Sequence, residues 1–217
     1  MDFEHARFNM VEQQIRPWDV ANPDVCRLLM AARRERYVPL SMRALAFADI
    51  EVPLPCGQTM LKPIIEGRIL QAIGTKRGRT TLEIGTGSGY FASLLASFSE
   101  RVYTVEIEPE LAQLARNNFA CNEIANVTVE EGDGAQGWFA QAPYDLIVVS
   151  GGLPELPGAL LAQLSPGGRL FAFVGEAPAM KACFVVRKNE KQLQNHELFE
   201  TLAPMLRHTP YMCEFPL

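Results

Sequence analysis

Three glycines at alternate positions, Gly85, Gly87 and Gly89, stand between an apolar run (80–84) and a run of helix-forming composition (90–98). Glycine permits positive φ and lets a ligand approach the backbone with no Cβ in the way. A helix start behind the turn adds N–H groups that have no intrahelical partner. A carboxylate, Glu106, closes the next apolar run (102–105), 21 residues after Gly85. Rossmann-like βαβ units place there the acid that receives ribose hydroxyls. Gly132-Asp133-Gly134 follows a third strand-like run. The chemistry these residues suit is the binding of a nucleoside-type ligand.

The register selects among such ligands. A dinucleotide fingerprint, G-x-G-x-x-G, would need a glycine where Tyr90 stands, and Gly89 comes one residue too early. An acid, Glu83, precedes the first glycine instead. The E-x-G-x-G-x-G form resembles motif I of class I S-adenosyl-L-methionine-dependent methyltransferases. That resemblance implies S-adenosyl-L-methionine as cofactor rather than NAD. The cofactor-binding set is then Glu83, Gly85, Thr86, Gly87, Ser88, Gly89, Glu106, Ile107, Asp133 and Gly134.

The elements that must position these residues alternate. Strands are expected at 80–84, 101–106, 126–130, 144–149 and 168–174, and helices at 89–98, 109–119 and 155–164. Alternation of β and α implies a mostly parallel sheet with helices on both faces. The run 145–149 is continuously apolar after its first residue, as a central parallel strand should be. Two further strand-like runs, 182–187 and 193–199, joined by the polar residues 188–191, predict an antiparallel pair at the sheet edge.

Upstream, 63–73 reads as a helix and 4–15 as a polar amphipathic one. Asn22-Pro23-Asp24 has the N-cap, first-turn proline and early acid of a helix start. The segment 37–59 is proline-rich and irregular, and 206–217 reads as an irregular tail. The chain is expected to form one domain over 1–217, with 1–62 a helical and loop cover and 63–217 the Rossmann-like core.

Bulk properties exclude several classes. A net charge of −5 argues against nucleic acid as the main partner, since phosphate binding rests on clustered Lys and Arg. The one local basic cluster, Arg27, Arg33, Arg34 and Arg36, is expected on a solvated helix face. No run reaches the ~18 apolar residues of a membrane span, and residues 1–7 are too charged for a signal peptide. The five cysteines are scattered without C-x-x-C pairs, which predicts free thiols in a reducing cytoplasm. His5, His196 and His208 show no ligand spacing and are expected at the surface, so no metal site is expected.

Beyond the glycine loop, several segments are similar to the protein-L-isoaspartate O-methyltransferase family. They are Arg36-Tyr37-Val38-Pro39, Phe47-Ala48-Asp49, Gly57-Gln58-Thr59 with Pro63, Val102-Tyr103-Thr104-Val105-Glu106, Gly132-Asp133-Gly134, Tyr144-Asp145, Gln163-Leu164 and Gly167-Gly168. The resemblance implies a Rossmann-like fold with extra N-terminal helices. It also implies methyl transfer to the α-carboxyl of isoaspartyl residues in peptides or proteins, which begins their repair.

The resemblance assigns Glu106 to the ribose and Asp133 and Gly134 to the adenine edge. It assigns the three glycines to the methionine moiety and ribose, and Glu83 to orienting the loop or the cofactor amine. Thr59 and Ser150 are the candidate catalytic hydroxyls. Leu61 stands where the family pattern carries serine, and 150–154 reads Ser-Gly-Gly-Leu-Pro where the pattern carries threonine, alanines and proline. The same loop and acid would also serve a methyltransferase acting on another carboxylate or a small molecule, or an S-adenosylmethionine-binding protein without catalysis.

Overall fold

A computed structural model describes residues 2–190 and 192–209. The centre is a seven-stranded sheet in the order β5-β4-β3-β6-β7-β8-β9, built from β3 (Arg79–Ile84), β4 (Ser99–Glu106), β5 (Val127–Glu131), β6 (Tyr144–Leu153), β7 (Leu164–Val174), β8 (Lys181–Asn189) and β9 (Gln192–Glu200). The first five are mutually parallel; β8 is antiparallel to β7, and β9 to β8. The chain leaves β3 toward β4 and β5, then returns to the other side of β3 with β6. That reversal of strand order opens a crevice at the carboxyl ends of the strands, where ligands of open α/β sheets bind.

Side-chain alternation explains why the sheet is covered on both faces. Along β6, Leu146 and Val148 join one hydrophobic cluster, and Ile147 and Val149 the other. The first face is covered by α3 (Pro63–Ile73), α4 (Tyr90–Ala96), α5 (Pro109–Cys121) and the N-terminal segments; the second by α6 (Gly158–Ala162) and Trp138. Helix boundaries follow local chemistry. Pro63 and Pro109 sit in the first turns of α3 and α5, and Gly74, with φ of 67°, ends α3.

The N-terminal expectations hold in part. The run from residue 3 is helical but changes type, α over Phe3–Asn9 (α1), π over Met10–Ile15 and 3₁₀ over Arg16–Trp18. The next helix, α2 (Pro23–Ala31), is capped by Asn22, whose Oδ1 accepts from the Asp24 N–H at 2.9 Å. The segment 37–59 holds 3₁₀ turns and a short hairpin of β1 (Val52–Pro53) and β2 (Thr59–Met60). Within the predicted tail, 206–209 is irregular; 210–217 lies outside the described residues.

One expectation fails. Arg34, read as part of a solvated basic face, is fully buried. Its guanidinium donates to the Ala46 carbonyl at 2.9 Å, to the Leu61 carbonyl at 2.7 Å and to Oε2 of Glu66. It thereby ties the 3₁₀ segment and β2 exit to α3. A buried cation persists only when paired in this way. Arg7 plays the same part nearby, bridging to Glu35 at 3.0 and 3.2 Å.

Candidate active site

The crevice at the strand ends gathers most of the predicted site. It is lined by Ile84 and Gly85 after β3, Glu106 and Ile107 after β4, Gly132 to Ala135 after β5, and Ser150 and Gly151 within β6. Gly85 and Gly87 have φ of 94° and 55°, a region that favours glycine, so the turn presents bare backbone to the crevice.

Glu106 is 5% exposed, and its carboxylate is fixed from two sides. Oε2 accepts the Gly87 N–H at 2.8 Å and Oε1 the Glu108 N–H at 3.1 Å. A carboxylate has about four lone-pair sites, so two remain for a vicinal diol. Asp133 accepts the Ala135 N–H at 2.9 Å through Oδ1, which orients it at the crevice rim. Gly134 is required by close packing: a Cβ there would lie 2.9 Å from Cγ2 of Ile84.

Glu83 does not line the crevice. It is fully buried under the glycine loop, where Oε2 accepts from Thr104 at 2.6 Å and Oε1 from Ser150 at 3.1 Å. Thr86 Oγ1 continues the chain to Thr104 Oγ1 at 2.7 Å. Burial pushes the Glu83 carboxyl up to about 8, against the pull of its two hydroxyl partners. Ionised, it takes the only proton of Ser150, which then offers lone pairs to the crevice. Protonated, it can donate to one hydroxyl and release that hydroxyl's own proton. Glu83, expected among the cofactor-binding residues, thus lies beneath them and links Ser150 to the glycine loop through Thr104 and Thr86.

The other loop residues divide. Thr86 is occupied by Thr104. Ser88 Oγ accepts the Tyr90 N–H at 3.4 Å, and the Ser88 carbonyl accepts Nδ2 of Asn118 at 2.9 Å. Gly89, assigned to the ligand from sequence, lines neither cavity here. Its φ is 81°, and a Cβ would sit 2.7 Å from Cζ of Phe119, so glycine there lets α4 pack on α5. Asp145 accepts from the Thr80 N–H and from Ser165, a structural role.

Thr59 faces the crevice and also a second, inner cavity behind it; its Oγ1 is buried with no hydrogen-bond partner. The inner cavity is bounded by the loop residues Gly85 to Ser88, by Leu61 and Ser150, and by Glu66 and Tyr90. Tyr90 Oη is likewise buried and unpartnered. Glu66 is 2% exposed; burial raises its carboxyl to about 7, with Arg34 pulling the other way.

Sequence reasoning did not single out Glu66, Tyr90 or the segment 204–207, which closes the crevice from the carboxyl-terminal side. There Arg207 donates to the Cys56 carbonyl at 2.8 Å and pairs with Glu108, and His208 lies 3.4 Å from Asp133. Glu66 did carry a signal. It shares the stripe 66, 69, 70, 73 of α3 with Ile69, Leu70 and Ile73, all buried, so a charge stood on an apolar face.

The sequence profile of the protein-L-isoaspartate(D-aspartate) O-methyltransferase (PCMT) family matches residues 6–203. A protein-L-isoaspartate O-methyltransferase of Koribacter versatilis is 38% identical over 210 residues, 96% of this chain and 94% of the relative. The chain belongs to this family. Membership makes it an S-adenosylmethionine-dependent methyltransferase of the protein-L-isoaspartate O-methyltransferase type. A second relative, from Anaeromyxobacter dehalogenans, is 41% identical over 82% of this chain and 86% of its own.

Two solved structures share the fold. A protein-L-isoaspartate O-methyltransferase superposes with a TM-score of 0.79 at 24% identity, over 92% of this chain and 65% of that longer one. A Plasmodium falciparum protein described as a beta-aspartate methyltransferase (PCMT), in complex with S-adenosyl-L-homocysteine, gives 0.78 at 20% identity over 93% and 98%. The family's fold therefore extends from the sheet core into the N-terminal segments of this chain.

Proposed function

We propose that the crevice holds S-adenosylmethionine with its ribose on Glu106 and its adenine beside Asp133 and Gly134, and that an isoaspartyl carboxylate is methylated at its inner end, near Thr59 and Ser150. The observation that carries this reading is the Glu106 carboxylate. It is buried, held by two backbone N–H groups and left with acceptor capacity facing the crevice. The residues fit the cofactor. Bare backbone at Gly85 and Gly87 leaves room beside the loop, and the unpartnered Thr59 hydroxyl stands ready for a ligand group.

When bound, S-adenosylmethionine supplies an electrophilic methyl group on a positively charged sulfur. A carboxylate acceptor, which ordinarily titrates at about pH 4, is ionised at neutral pH and needs no general base. The chain's own work is then alignment and exclusion of water. Thr59 offers a hydroxyl that has nothing else to bind. Ser150 is held in register by Glu83. Cys56 lies beside the signature loop with its thiol against Glu110, 3.5 Å away; burial first, and then this acid, push the thiol up rather than activating it.

Residues 1–62 act as the cover of the site, anchored to α3 by Arg34. The partner is an isoaspartyl peptide or protein, not nucleic acid. No described helix is long and apolar enough to cross a membrane, and the four described cysteines are free. Free thiols suit a reducing compartment such as the cytoplasm.

Calorimetric titration with S-adenosyl-L-homocysteine tests the reading: binding by the unmodified chain, with NAD silent, supports it, and absence of binding contradicts it.

A further inference from the structure

Arg34 is the buried member of its cluster; Arg27, Arg33 and Arg36 are exposed. With Arg77, these three line a groove on the α2 and α4 side of the chain. Its two hollows, of about 330 and 260 Å³, adjoin at Leu28 and Ser97. Asp24 is the one acid along the groove, and it pairs with Arg27. Arg33 and Arg77 have no hydrogen-bond or ion-pair partner among the described residues. Arg36 donates to Oδ1 of Asn122 at 3.4 Å. A chain of net charge −5 thus gathers cations at one place without neutralising them.

We propose that this groove is a docking site for an acidic segment of the protein substrate, at a distance along the substrate chain from the isoaspartyl residue itself. Charge complementarity carries the inference. Arginine forks suit carboxylates, and arginine clusters are a recurring means of holding acidic peptides. Between the arginines the wall is apolar, with Leu28, Leu94 and Ile124, which suits the side chains of a peptide. A single-stranded nucleic acid would need aromatic faces on which to stack its bases. The two aromatic residues of the groove, Tyr37 and Phe98, are buried.

The groove stands outside the methyl-transfer site yet close to it. Tyr37 forms part of its wall and packs on Tyr90, ring centroids 5.4 Å apart, and Tyr90 borders the inner cavity. α4 has seven residues, Tyr90 to Ala96, and its Ser93 and Leu94 line the groove. At 1.5 Å per residue that helix is about 10 Å long. An extended substrate covers ~3.5 Å per residue, so about five to ten residues suffice to span from the reacting carboxylate to the arginines. The inference rests on the isoaspartyl acceptor proposed above and adds a second contact for the protein that carries it.

The test uses two isoaspartyl peptides that differ only in a tail, joined through a flexible Gly/Ser spacer of about eight residues. One tail is of glutamates, the other of glutamines. At low salt the glutamate tail is expected to lower KM about three- to thirty-fold, as several exposed charge pairs together would, with kcat unchanged. Salt at about 0.5 M should remove the advantage. Arg33→Glu combined with Arg77→Glu should remove it too. The same variant should keep its kinetics on the glutamine-tailed peptide, because neither side chain lines the crevice or the inner cavity. Glutamine at both positions carries the test, with a smaller loss, if the charge reversals fold poorly.

Equal KM for the two tails in the unmodified chain, or an advantage that survives the folded variants, would overturn the inference. So would an oligonucleotide that binds more tightly than the glutamate tail and is lost with Arg33→Glu, or a dimer of this chain that Arg33→Glu disperses. Methylation of neither peptide would instead overturn the acceptor reading beneath it.

Discussion

The backbone N–H of Gly87 donates to Oε2 of Glu106 at 2.8 Å, which ties the glycine loop to the end of β4. The acid proposed to receive the ribose therefore also sets the loop. Glu106→Ala should lower affinity for S-adenosyl-L-homocysteine about ten- to hundred-fold, since bonds to a charged group contribute roughly 1.5–3 kcal/mol. Gly87→Val, with φ of 55° and a Cβ 3.4 Å from Leu54, should lower it further. Calorimetry decides, and unchanged affinity in both variants would refute the placement of the site.

Gly89 should behave differently from Gly87. An added Cβ meets the Phe119 ring and the φ of 81° disfavours it. Gly89→Ala is expected to lower Tm clearly, with a cost of about 1–3 kcal/mol, while the folded fraction keeps its ligand affinity. Thermal melts beside titrations separate the two effects. A stable variant that has lost binding would return Gly89 to the ligand.

Arg34 should be the one arginine of the 27–36 cluster whose removal unfolds the cover. Arg34→Met leaves Glu66 buried without its partner, a loss of about 3–5 kcal/mol. Arg33→Met and Arg36→Met should stay within about 0.5 kcal/mol of the unmodified chain. Denaturant midpoints measure all three, and equal, small shifts would contradict the buried anchor.

The buried acids make stability depend on pH. The carboxyls of Glu66 and Glu83 stand near 7 and 8 in the folded chain, above their ordinary value of 4.5. The native state thus holds more protons than the unfolded state between these values. The stability they contribute is fully present below the unfolded pKa and is lost as pH rises through the folded ones. The unfolding free energy should fall from about pH 5 to about pH 8, by at most ~1.4 kcal/mol per pH unit for each group, with Tm falling alongside, and both should level off above. Glu83→Gln should flatten the upper part of that slope. A Tm that rises over this window would be the wrong sign for buried acids.

Much of this was legible before any coordinates. Alternation of apolar runs and helical segments pointed to a mostly parallel sheet with helices on both faces, and α3 spans 63–73, as read. Local signals faded where tertiary contacts decide. The helix expected at 155–164 shrinks to Gly158–Ala162, and β7 starts at Leu164 rather than 168 because its early residues pair with the start of β6.

In the site, glycine spacing and Glu106 were visible because they are local patterns. The burial of Arg34 was not, since its partners Ala46, Leu61 and Glu66 lie 12 to 32 residues away. Nor could spacing reveal that Gly89 serves Phe119, thirty positions on, or that the irregular segment 204–207 closes the crevice.

Leu61 is where the chain departs from the family pattern, and its side chain is 9% exposed against the inner cavity. Leu61→Ser should restore a donor there and raise kcat/KM on an isoaspartyl peptide. It should also cost about 2–5 kcal/mol of stability from the lost packing. Steady-state kinetics below the lowered Tm would show the gain; equal or lower kcat/KM would mean that the serine position is neutral in this chain.

The most direct measurement is transfer of a labelled methyl group from S-adenosylmethionine to a matched pair of peptides that differ only in an isoaspartyl or an aspartyl residue. The expected result is base-labile label on the isoaspartyl peptide, little on the aspartyl one, and a fall with Glu106→Ala in step with its loss of cofactor affinity. A chain that binds S-adenosyl-L-homocysteine yet leaves both peptides unlabelled, or labels them equally, would contradict isoaspartyl carboxyl methylation at this site.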